Sequence, residues 1–327
     1  MPQNAAVRPE PTVQRKAAIA YAGARDYKGM VDVRPIENFD LNRTIFQTLE
    51  SAAARYIVKH RVGKDVHWHR QAEADVQAAY DDATAGLELP AVPEDLTRFL
   101  VEECDFDVEH ADGSFLDHLY FCFEYTAKHY PAGSPLVMLL HSILGTGTNT
   151  FAMEAKKIPQ LQALLSPSDF LQVAAFPTLL RLLYAGALRD ELRANVGRAL
   201  KSITMHRVID NASLELDGEA FWEAMNYQLI HLVDFIPVAN WSAHRSDNSY
   251  VLFRDVFDLM DRSNRIEANV VFREPARGPK LQGEAATVGT WLTTLIPVGV
   301  TETMTARSVQ RFSERCGHSL DYSVTWG

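Results

Sequence analysis

A chain of 327 residues has room for one large domain or two smaller ones, and 47% hydrophobic content is enough to build a real core. A formal net charge of -10 argues against nucleic acid, whose phosphates are bound through clustered Lys and Arg, and against anionic membrane surfaces. Three cysteines, Cys104, Cys122 and Cys316, have no zinc-type spacing and leave an odd number, which predicts free thiols in a reducing compartment. No run reaches the ~18 apolar residues needed to span a bilayer, and the first residues lack an apolar signal core. The expectation is a soluble, cytoplasmic protein, with a homodimer possible.

Residues 1-40, rich in Pro, Gly and charge, read as an arm on the surface or on a partner subunit. Helical signals follow. Ile45, Leu49, Ala53, Tyr56 and Ile57 form one stripe, and a second helix covers 68-85 and ends near Gly86. Pro93 opens a third, with Glu94 and Asp95 in its first turn. A helical hairpin is predicted next, with helices over 115-129 and 135-144 joined by a turn at 130-135. Further helices are expected from Ser168, interrupted at Pro177, and over 189-205, 218-235 and 250-260. No alternating strand set is expected before 265. After that, 266-273 alternates weakly as a short strand, and 287-294 and 306-315 read as short helices. The predicted architecture is all-α: an arm (1-40), a helical body (41-265) and a short mixed C-terminal extension (266-327) packing on it.

The chemistry concentrates in the hairpin, which carries His110, His118 and His141. His118 lies ~16 Å before the turn and His141 ~9 Å after it at 1.5 Å per helical residue, so the two meet one cleft. His110 enters the first helix and could close over them. Three imidazoles can hold one divalent metal, Zn, Mn or Fe, with a position open for water or substrate. Alternatively they act as acid–base groups, or simply pack and cap.

Phe115-Leu-Asp-His-Leu-Tyr, followed by Leu139-Leu-His-Ser-Ile-Leu-Gly-Thr and later by an Ala239-Asn-Trp segment, resembles an uncharacterised helical family related to the HD superfamily. The resemblance covers about 110-265. It implies an HD-like helical bundle and metal-dependent hydrolysis, with His118 and His141 as ligands. Ser142 stands where an HD protein has its Asp, which disfavours a dinuclear centre.

His231 and Asp234 sit i,i+3 on one helix, with Tyr227 at i-4 of His231, so all three share a face. The carboxylate could complete a metal site or orient His231 as a base. The alternative is a polar helix end. Asn240, Trp241 and His244 lie just beyond, and Thr146 in the Gly-Thr-Gly-Thr loop rims the same predicted pocket as substrate contacts. His67 and His69 point apart on a helix; His69 and Glu73 are better spaced. No nucleophile elbow, dinucleotide fingerprint or phosphate loop is present.

Three functions follow. The first is a small-molecule hydrolase at one metal ion, with His118, His141, His231, Asp234 and Tyr227 as catalytic candidates. The second is a metal-free cyclase, lyase or isomerase using His acid–base chemistry. The third is a non-catalytic ligand-binding protein.

Overall fold

The computed structural model describes residues 31–35, 51–61, 64–68, 70–104, 109–110, 113–147, 153–238, 247–270 and 281–327. In chain order these give β1 (Val31–Pro35), α1 (Ala52–Arg61), β2 (Lys64–Trp68), α2 (Arg70–Thr84), α3 (Glu94–Glu103), β3 (Glu109–His110), β4 (Gly113–Ser114), α4 (Phe115–His129) and α5 (Pro135–Leu140). They continue with α6 (Ile158–Leu164), α7 (Pro167–Ala185), α8 (Ala187–Ala194), β5 (Leu200–His206), β6 (Ser213–Asp217), α9 (Gly218–Val238) and α10 (Asn248–Arg262). The last elements are β7 (Leu281–Gln282), α11 (Val288–Thr294), α12 (Val298–Cys316) and β8 (Ser323–Trp326).

The protein is mostly helical, with small sheets ordered β2-β1-β7, β3-β4 and β6-β5-β8. Helices α4 and α9 form the centre. Nearly every side chain from His118 to Thr126 and from Phe221 to Asp234 is buried, so both helices are covered on all sides. The hairpin helix α5 and the apolar α7 enclose them, with α10 packed on α9. The buried Arg189 joins α8 to Asp255 of α10 and Glu302 of α12. Among the described residues no single helix is long and apolar enough to cross a membrane.

Several predicted elements differ. The helix over 189-205 ends at Ala194, and Leu200–His206 is instead the middle strand of a sheet. Leu200, Ile203 and Met205 are buried there. The i,i+3 spacing of Leu200 and Ile203 also fits a helix, while Gly197 at φ 90 breaks one. β6 alternates exposed and buried residues, Leu214 and Leu216 facing in. Strands therefore do precede residue 265, contrary to expectation.

Pro177 does not interrupt α7, which runs unbroken for 19 residues. Beside it, Gln228 Nε2 of α9 donates to Phe176 O at 3.0 Å, tying α7 to α9 at this turn. α5 stops at Leu140 and not at 144, and β2 occupies 64–68 ahead of α2. Residues 266–270 form no strand, because the backbone there is engaged elsewhere: Asn269 N donates to His129 O at 2.6 Å. The rest of that predicted strand, the 42–50 part of the first predicted helix, and most of the predicted arm lie outside the described residues.

Candidate functional site

Three segments converge on one buried point. The first is α4, which presents His118 and, one turn on, Cys122. The second is the end of α5. Its last carbonyls have no intrahelical donor, and His141 at the C-cap turns its ring back to satisfy one of them, with Nδ1 2.7 Å from Met138 O. The third is α9, whose i,i+3 spacing puts His231 and Asp234 on the face toward α4.

His118 Nδ1 lies 2.7 Å from Asp234 Oδ2, and both side chains are buried. Across the gap, His118 Nε2 lies 3.1 Å from His141 Nε2. Cys122 Sγ is 4.0 Å from His118 Nδ1. The His231 ring packs edge-on, its centroid 5.1 Å from that of His118 and 4.9 Å from that of His141. Phe176 of α7 sits 4.7 Å from the His141 ring and 5.3 Å from that of His231.

The acceptors dictate where the protons sit. An ionised carboxylate and a backbone carbonyl only accept hydrogen bonds. His141 Nδ1 therefore carries hydrogen and donates to Met138 O, and with Asp234 ionised His118 Nδ1 donates to its carboxylate. In that state the two Nε2 lone pairs face each other at 3.1 Å. Their repulsion would be relieved by a proton between them, giving an imidazolium–imidazole pair beside Asp234, or by a metal ion.

The donor set fits a metal. His118, Cys122 and His141 each offer one atom such that all three lie within 4.8 Å of one another. With metal–nitrogen bonds of about 2.0–2.1 Å, two ligands of a tetrahedral ion stand roughly 3.3–3.4 Å apart, a few tenths from the spacing found here. The carboxylate behind His118 and the carbonyl behind His141 are the outer partners that fix ligand imidazoles in metalloproteins.

No family model, no curated protein and no solved structure matches this chain.

Of the predicted site residues, the structure brings together His118, His141, His231 and Asp234. Asp234 Oδ2 is paired with His118. Tyr227 lies elsewhere on α9: its hydroxyl accepts from Ser134 N at 2.6 Å and donates to Glu223 Oε1 at 2.9 Å, clamping α9 to the hairpin turn. Burial and the neighbouring Glu223 push this phenol above the ordinary tyrosine range. Thr146 is half-buried, and its carbonyl accepts from Arg181 Nε at 2.9 Å. His110 has its backbone in β3, but its side chain lies outside the described residues, as do His69, Asn240, Trp241 and His244. Cys122 is a candidate ligand that the sequence reading does not name. Its i,i+4 spacing with His118 carries the signal, which the spacing of the three cysteines among themselves does not show.

Proposed function

We propose that this protein is a small-molecule enzyme working at one divalent metal ion held by His118, His141 and Cys122, with hydrolysis as its reaction. The observation that carries the reading is the pair of opposed Nε2 atoms, each imidazole locked from behind by an oxygen acceptor. Two imidazoles and a thiol suit zinc or ferrous iron better than manganese, which prefers oxygen donors. A bound ion of this kind lowers the pKa of a water molecule and polarises a substrate oxygen. The chain's own groups do the rest. Asp234 holds His118 in the Nδ1–H tautomer, Met138 O does the same for His141, and Phe176 excludes water from one side. His231, against both rings, is placed to receive and return a proton. The HD-like resemblance of the Leu-Asp-His-Leu and His-Ser segments agrees with hydrolysis, and the charge of -10 favours a small substrate over nucleic acid.

A second reading has one observation in its favour. Ser142 supplies no carboxylate beside His141, and a proton bridges two Nε2 atoms as naturally as an ion does. The histidine pair would then be a buried acid–base couple in a metal-free lyase, cyclase or isomerase.

Elemental analysis of untagged protein after loading with zinc or Fe(II) separates the two. Near-stoichiometric metal is expected, falling by at least ~10-fold in His118→Ala, His141→Ala and Cys122→Ser variants that retain native circular dichroism. Wild-type protein that takes up no metal would overturn the metal reading and leave the proton-bridged pair.

A further inference from the structure

Helix α11 is inside out. Its buried side chains are the hydroxyl-bearing Thr290 and Thr293, each only 1% exposed, while Val288, Trp291 and Leu295 are 74%, 59% and 61% exposed. With Leu292, also exposed, these fall at i, i+3, i+4 and i+7, a stripe about 100° wide on the face away from the body. The reversal is built in by local bonding. Thr290 Oγ1 donates to Ala285 O at 2.7 Å and Thr293 Oγ1 to Thr290 O at 2.7 Å, so the inward hydroxyls are satisfied. Gly289 lets the helix lie directly on α1, since a Cβ there would stand 2.5 Å from His60 Cε1. The thread continues across α1: Tyr56, itself exposed, packs on the His60 ring at 4.4 Å. Val298 and Val300 extend the patch into the start of α12.

These seven are the large exposed hydrophobics of the described residues. Large hydrophobics exposed singly are ordinary on a monomer, whereas six of these seven fall within residues 288–300.

We infer that the α11 face, with Tyr56 of α1, is a homodimer interface, covered by the same face of a second copy. Two features favour a copy over other covers. From Ala285 to Thr301 the chain has no ionisable residue, so two α11 stripes meet without bringing like charges together, although the whole chain carries -10 and Arg55 and Lys59 stand near Tyr56 in α1. A single apolar stripe of this spacing is also self-complementary across a two-fold axis, Val288 of one helix meeting the Leu295 end of the other. A bilayer fits less well. Membrane-surface helices carry Lys and Arg beside the apolar face; α11 and the start of α12 have none between Glu284 and Glu302, and only α1 brings cations, Arg55 and Lys59, near Tyr56 among the described residues.

The test is sedimentation equilibrium of the full chain over a wide concentration range, with the double variant Trp291→Glu/Leu295→Glu alongside. Wild type is expected at twice the 36.7 kDa monomer mass. In the variant the dimer dissociation constant should rise at least ~100-fold with unchanged circular dichroism, since buried aromatic anchors dominate such interfaces. As an independent check, Leu292→Cys in a Cys316→Ser background should form a disulfide to its own copy under mild oxidation. Monomeric wild type overturns the inference, as does a dimer that survives the double variant. Flotation of monomeric wild type with phosphatidylcholine or phosphatidylserine vesicles would overturn it in favour of lipid.

Discussion

Asp234 and Met138 do the same service for different rings, and only one of them could be read from the sequence. A carboxylate three residues from a histidine on a helix invites attention, and Asp234 was singled out with His231. Its actual partner, His118, lies 116 residues away, and no local spacing encodes that. Met138 acts through its carbonyl, which every residue possesses, so its role leaves no mark in residue type. A different histidine supplies a measurable consequence. His318 donates from Nε2 to His206 O at 2.9 Å, while Arg181 Nη1 approaches its Nδ1 at 3.2 Å. Burial first, then the Arg181 and His206 charges, hold its pKa down at about 4. Below pH 6.5 an unfolded chain protonates this ring, but the folded one does so only near pH 4, so its contribution to stability is complete above 6.5 and fades as pH falls toward 4. Half-buried His129, beside Lys128, is likewise held at about 4 and acts in the same direction. Thermal melts between pH 7 and 5 should show Tm falling with pH, and His318→Gln should flatten that slope. Equal slopes for the two proteins would rule out this role for His318.

The helices were legible where one face is apolar and the ends carry punctuation. Glu94–Glu103, Phe115–His129 and Asn248–Arg262 fall close to their predicted places. The strands were not. β5 is short, and its buried Leu200 and Ile203 fit a helical period as well as a strand, while the alternation of β6 spans only five residues. What distinguishes them is the partner strand β8, more than a hundred residues later, paired with β5 from Leu200 to Thr204. The junction from β6 into α9 shows how tightly this corner is built. A Cβ at Gly218 would sit 2.1 Å from the carbonyl oxygen of Leu200, a backbone atom of the middle strand. Gly218→Ala should therefore cost about 1–3 kcal/mol, the usual penalty of overpacking, by pushing the sheet off the helix. Chemical denaturation would measure it; a loss below ~0.5 kcal/mol would mean that the strand yields freely.

At the scale of the whole molecule, helical periodicity anticipated a mostly helical body and the lack of a long apolar run anticipated no membrane-crossing helix, and both hold for the described residues. Periodicity could not anticipate the inverted α11, because a stripe of Val, Trp and Leu ordinarily marks the inward face. Nor could it set the order in which distant parts meet. His118 and His141 are 23 residues apart within one hairpin, whereas Asp234 comes 116 residues after His118. Closing the longer loop costs about 1.4 kcal/mol more in chain entropy. We expect pulsed hydrogen exchange during refolding to protect the amides of α4 before those of α9; simultaneous protection would contradict this order. On that order the site would have a history within each molecule: the two imidazoles would meet while the chain is still half open, and the carboxylate that fixes His118 would arrive last.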